Sequence, residues 1–321
     1  MLQSIRLKKL ANAGFPLRLL STKTPSSIMS SASQIRESYT NLSVLPTSSP
    51  GVLGTNYTSK PPQTSNLIAG RRRFYKLVGV KHHPPEGKGE KDLYGVTLDG
   101  RNLKTVQMNP MLVPSEQLAW AIAGEWDAQD DGVKGLQPAT MPLMTLASKA
   151  IDQLSIDPTL ARTTVLSFLP TDSALFYTTE GDRLLLAKQK ALLEPIVAFV
   201  QKELGVEFAT ALGSMSFRLQ HPEDTIRTIT YLVHSLDPHT LACLQTATME
   251  CKSLIMGVAY VLFGHMDVQQ AREASRVEEE FQVDIWGVVE GGHDMDRLNN
   301  AVNLSSVGLY MGLLRTHNQT K

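Results

Sequence analysis

Glu290, His293 and Asp294 are the tightest grouping of acid, base and metal-ligand types in this sequence. A carboxylate beside an imidazole can move a proton or begin a metal site. A metal site also needs further ligands with oriented groups behind them. The other histidines (His82, His83, His221, His234, His239, His265 and His317) are scattered along the chain. Cys243 and Cys251 fall in one helical pattern, about 12 Å apart along its axis at about 1.5 Å per residue, too far to pair within that helix. No CxxC, no G-x-x-x-x-G-K-[ST], no G-x-S-x-G and no H-E-x-x-H occurs. These patterns point to no catalytic residue, no metal and no cofactor. A matrix enzyme using Glu290, His293 and Asp294 in acid-base or metal chemistry stands as the alternative.

The other chemistry on offer is recognition. Within Asp267–Gly292, positions 271, 274, 278, 281 and 285 fall on one stripe of a helix and read Ala271, Ala274, Glu278, Phe281 and Ile285. One carboxylate therefore sits in an apolar seam, with Glu279 and Glu280 on more exposed positions. A carboxylate against apolar surface is costly unless paired or kept wet. Either Glu278 meets an arginine inside the fold or solvent, or its partner is a basic group on another protein. In the second case Trp286, Glu290, Asp294 and Asp296 complete an acidic, aromatic-tipped face. A scaffold for a different partner is the remaining reading of such a face. Farther upstream, Glu125-Trp126-Asp127 lies on a helix whose stripe is Leu118, Ile122 and Trp126, so core packing is expected of Trp126. Trp120 lies roughly opposite and is either covered by neighbouring strands or exposed as an anchor.

The elements carrying these residues change character along the chain. Phe74–Val80 and Leu93–Leu98 read as strands, and Asp99-Gly100 is a two-residue hairpin signal, closed by Leu103–Val106. From Pro114 the apolar period becomes helical. Ser115 caps a helix to about Gln129, and Leu143–Leu154 and 157–169 come next. Ala174–Thr178 is a lone strand. Asp182–Leu204 is a long helix ending at Gly205, which Pro195 should kink or split. Further helices are expected over 222–235, 238–263, 267–283 and 294–314. The fold class is α+β: a small β-rich domain over 71–112, extending at the widest to about 135, then a helical domain over 113–321.

Net charge is zero, with 31 basic and 31 acidic residues, but it is unevenly spread. Residues 1–70 hold seven Lys/Arg and one acid, Glu37, leaving 24 bases and 30 acids for the rest. That leader also carries 20 Ser/Thr and six prolines and lacks a periodic apolar face. Its amphipathic, Arg/Ser-rich, acid-poor start has the composition of an organelle transit peptide, and a mitochondrial destination is expected. The most apolar stretch, 254–263, is shorter than the roughly 18–20 residues that cross a bilayer. Beyond Arg71-Arg72-Arg73 there is no basic block, and the acidic body argues against nucleic acid as a partner.

In order along the chain come Arg73-Phe74-Tyr75-Lys76, the hairpin Leu98–Thr105, Val113-Pro114-Ser115, Glu125–Gln129, Met141-Pro142-Leu143, Phe168–Asp172, and Arg276–Trp286 with Trp286-Gly287 and His293-Asp294. This series, spanning 73 to about 314, resembles the mitochondrial ATP synthase F(1) complex assembly factor 2 family, chaperones of the α subunit. Thr105-Val106 departs from it, since the family more often has proline there. The resemblance implies a matrix protein without catalysis or cofactor. It would bind unassembled F(1) α subunit, shield its interface until the β subunit replaces it, and act as a monomer. It also implies a small β-rich domain before a helical one, and dependence on Glu278, Glu279, Glu280 and Trp126.

The leader provides the first test. A chain shortened to begin near Arg71 should melt at the same temperature as the full chain and lose organelle import. A fall of several degrees on shortening would show instead that residues 1–70 pack on the body.

Overall fold

The structure is a computed structural model that describes residues 70–319, except 86, 88–91, 130–134, 180 and 214–217. The expected leader lies outside the described residues, apart from Gly70. Four antiparallel strands come first: β1 (Val78–His83), β2 (Leu93–Leu98), β3 (Arg101–Asn102) and β4 (Leu112–Val113), with β2 pairing all three others. The hairpin forms where Asp99-Gly100 predicts it. Both residues take positive φ, 48° and 76°, the conformation a type I′ turn demands. Asp99 also accepts from Lys76 N (3.0 Å) and Leu77 N (2.8 Å), and these bonds, that from Leu77 foremost, hold its carboxyl below its usual range.

Two strand boundaries differ from expectation, each because a side chain captures the backbone. The first strand begins at Val78 rather than 74. The Arg73 guanidinium donates to Asp127 O (2.8 Å), Gln129 O (3.1 Å) and Lys76 O (3.3 Å), bending this segment over a helix end and leaving Phe74 exposed. The return strand stops at Asn102 because buried Asp152 holds the next loop. It accepts from Thr105 Oγ1 and from Asn109 Nδ2 (2.9 Å), and within this loop Met108 is left at φ 67°.

Helices make up most of the chain beyond β4, in keeping with the α+β class. They are α1 (Glu116–Asp127), α2 (Pro142–Lys149) running into a wide π turn at Ala150–Leu154, and α3 (Thr159–Ser167). Next come β5 (Phe176–Tyr177), α4 (Arg183–Leu204), and β6 (Ala211–Leu212) parallel to β5. The series ends with α5 (Glu223–His234), α6 (Pro238–Cys251), α7 (Leu254–Gly257) with a π turn to Leu262, α8 (Val268–Ser275), α9 (Val277–Trp286) and α10 (His293–Gln319). Ser115 caps α1, and Gly205 at φ 61° closes α4. Pro195 neither splits nor ends α4; it sits on the exposed side, where the one lost backbone bond is tolerated. The expected helix over 238–263 is broken. Lys252 turns left-handed at φ 53°, and Ser253 then caps α7 through Met256 N. Fully buried Asp172 secures the same start by accepting from Ile255 N (3.0 Å) and Ala174 N (3.1 Å); burial still pushes its carboxyl up to about 6.

Glu125, Trp126 and Asp127 clamp the strands to the helices. The Trp126 ring is 1% exposed, packs edge-on against Tyr75 at 5.6 Å, and donates Nε1–H to Met144 Sδ (2.8 Å). Tyr75 Oη donates to Trp126 O (2.6 Å), and Asp127 pairs with Arg73 at 2.9 Å. Glu125 reaches the other way, accepting from Leu143 N (2.7 Å) and Met144 N (2.8 Å) in the first turn of α2. Burial raises its carboxyl to about 7, overriding the two backbone bonds that favour the ionised form. Nearby, Gly70 N donates to Leu136 O (2.9 Å) and Leu136 N to Arg71 O (2.7 Å). Gly135, at φ 63°, allows this closeness, since a Cβ there would lie 2.6 Å from Arg71 O.

The clamp can be tested at two of its residues. Trp126→Arg should cost about 3–5 kcal/mol, through a lost aromatic and a buried unpaired charge, and yield insoluble or degraded protein. Its recovery at full thermal stability would refute the clamp. Because the folded Glu125 carboxyl titrates above its unfolded value, its stabilising contribution is complete below about pH 4.5 and lost as pH rises through about 7. Denaturant melts of wild type and Glu125→Gln across that range should show wild type losing ground to the variant as pH rises. Parallel curves would show that Glu125 does not titrate there.

Candidate partner-binding face

The helix expected over 267–283 breaks at Arg276 (φ −120°, ψ 15°), so α8 and α9 are separate helices with separate phases. This overturns the seam that placed Glu278 among apolar neighbours. Ala271, Ala274 and Val277 are buried, but Glu278 and Ile285 are exposed. Glu278 meets neither an internal arginine nor an apolar wall: it accepts from Gln189 Nε2 (2.7 Å), while buried Gln189 also takes the Thr178 N–H through Oε1 (2.8 Å).

Glu279 and Glu280, expected on the outside, turn inward to the buried Arg276. Its Nη2 lies 2.9 Å from Glu279 Oε2, close but not aligned as a hydrogen bond, and its Nε donates to Glu280 Oε1 (3.2 Å). Lys252 Nζ donates to Glu279 Oε1 (2.7 Å), and Arg297 holds both Glu280 oxygens, with Nε–H at 2.8 Å. The Arg297 hydrogen bonds hold the Glu280 carboxyl below its usual range. Two glutamates and three cations thus tie α9 to the Lys252 turn and to α10.

Past this network the surface changes. Trp286 is 76% exposed, and Val288, Val289, Met295 and Leu298 are exposed beside it in sequence. Asp284, Glu290, Asp294 and Asp296 are exposed on the same segment, and Asp284 is paired with Lys188 at 2.9 Å. His293 Nδ1 accepts from Val289 N (3.2 Å), which closes the loop between α9 and α10. Among the described residues, no three His, Cys, Asp or Glu side chains are placed to hold a metal ion. Trp120, on α1, is 52% exposed. It is not covered by the sheet, and it lies on a different element from the Trp286 face.

Sequence reasoning missed the outward face of α10. Met295, Leu298, Val302 and Leu309 are all exposed, whereas Asn300, Leu304, Val307 and Met311 on the opposite side are buried. The signal was present: two apolar stripes of spacing three and four run in one helix, about 180° apart at about 100° per residue.

Comparison with known proteins bears on what this face serves. Residues 72–201 match the family described as ATP12 chaperone protein. The chain is 29% identical over 246 residues to Protein atp12, mitochondrial, of Schizosaccharomyces pombe, a match covering 74% of this chain and 81% of that one. With Protein ATP12, mitochondrial, of Saccharomyces cerevisiae, identity is 26% over 291 residues, covering 76% and 86%. The crystal structure of Atp12 from Paracoccus denitrificans matches at a TM-score of 0.66 and 27% identity, across 76% of this chain and 98% of that one. A strand-then-helix order like that of a solved Atp12, and a family match that begins at the Arg73 clamp, agree: over residues 72–201 this chain is similar to the ATP12 chaperone family, and its fold is that of Atp12.

Proposed function

We propose that this protein is an assembly chaperone of mitochondrial ATP synthase, acting in the matrix on unassembled F(1) α subunit. The surface formed by the end of α9, the loop after it and the start of α10 covers the α surface that the β subunit later occupies. The observation that carries this is the exposed group Trp286, Val288, Val289 and Met295, interleaved in sequence with the exposed acids Glu290, Asp294 and Asp296. Contiguous exposed apolar surface with a polar rim marks an interaction site. The acids bias encounter toward a basic partner and against another acidic body. Kinship with mitochondrial ATP12 proteins and the transit-like leader support the compartment. The role needs no reaction and no cofactor, only a surface that binds and can be outcompeted.

Glu279 and Glu280 hold the fold together in this reading, and Trp286 with the outer acids contacts the client. Purified F(1) α subunit titrated against the variants separates the two sets. Trp286→Ser and Asp294→Lys/Asp296→Lys should keep the wild-type melting temperature and weaken α capture about tenfold or more. Glu280→Lys, facing Arg276 and Arg297, should unfold several degrees earlier, while its folded fraction still captures. Unchanged capture by Trp286→Ser would remove this face from the function.

A further inference from the structure

We infer that the outward stripe of α10 receives an amphipathic helix of the client, one with Lys or Arg flanking its apolar seam. This inference rests on the client-binding reading above and names the secondary structure and charge of the docking segment. Met295, Leu298, Val302, Ser305 and Leu309 keep a three-four-three-four spacing, the spacing of a helix seam that meets another helix. All five are exposed, and the stripe runs about 21 Å at about 1.5 Å per residue. The opposite face already supplies the packing that holds α10: Leu304 and Val307 are fully buried. The outward apolar residues therefore serve nothing within the described fold.

The kind of occupant is set by the groups α10 can offer. Its main-chain groups are used within the helix, so an added strand would find no edge to pair with. What remains is side-chain interdigitation, which a second helix supplies. Ser305, small and exposed, and Gly312, with no neighbour near where its Cβ would stand, let that helix approach closely. Charge selects among helices. Asp294 and Asp296 flank the N-terminal end of the stripe, whereas Arg297 is occupied by Glu280. A basic-flanked helix is attracted; a second copy lying parallel would set these acids against their own kind.

The test uses the full chain and three synthetic helices: a leucine-seam peptide with lysine flanks, the same peptide with glutamate flanks, and a scramble of the lysine peptide. Trp286 fluorescence and amide chemical shifts report binding, with Leu298→Ser/Val302→Ser as the variant. Both substituted residues are exposed, so the variant should keep the wild-type melting temperature. The lysine-flanked helix should shift α10 resonances, bind at least about tenfold tighter than the other two peptides, lose about tenfold in the variant, and compete with purified α subunit. Equal binding of all three peptides, binding unaffected by the variant, or shifts confined to other elements would overturn the inference. So would sedimentation showing a dimer of this chain that the variant dissolves. If wild type captures α subunit but the lysine helix neither binds nor competes, helix docking fails and the chaperone reading stands. If wild type captures no α subunit, the chaperone reading fails, and the peptide titration still decides what the stripe binds.

Discussion

The seating of Trp126 is the contact on which the rest depends. Four short strands cannot stay folded alone, because β3 and β4, at two residues each, bury too little against β2. Their stability is borrowed through Tyr75, whose ring and hydroxyl both engage Trp126, and through Arg73, which ties the chain ahead of β1 to Asp127. The same three-residue stretch starts α2, since Glu125 meets two orphan N–H groups at its first turn. One turn of helix therefore sets the position of a sheet on one side and a helix on the other. A buried carboxylate, Asp152, repeats the device by holding the loop of Thr105–Asn109 to the π turn after α2.

How far the sequence could be read depended on whether the deciding force was local. The hairpin at Asp99-Gly100, the caps at Ser115 and Gly205, and the burial of Trp126 come from φ preference, capping and periodicity, which neighbouring residues set. The break at Arg276 does not. Nothing in Ala274-Ser275-Arg276-Val277 stops a helix by propensity. The break lets a buried guanidinium sit between Glu279 and Glu280, with Lys252 and Arg297 arriving from distant segments. One residue taken out of helical phase rotates everything after it, so Glu278 moves outward and its two neighbours inward. The same reasoning covers Arg73, whose four carbonyl partners bend a stretch that composition alone would leave as strand.

On α10 the sequence pattern was legible and its meaning was not. Periodicity records that a face is apolar without recording what covers it. A helix apolar on both sides reads as buried, yet one side of this one meets solvent. Keeping such a surface soluble is a matter of rim charge. Asp294 and Asp296, exposed at the N-terminal end of that face, oppose its meeting a like-charged surface.

The pairing of Gly70 and Arg71 with Leu136 bears on maturation of the chain. Those hydrogen bonds make the residues just before Arg73 part of the folded body, inserted where Gly135 leaves no room for a side chain. A processing protease that cuts before Gly70 leaves these hydrogen bonds in place. A cut a few residues downstream would remove the backbone that closes the loop at Leu136, and soon afterwards Arg73. The body therefore fixes a downstream limit for trimming, whatever sequence the protease itself prefers.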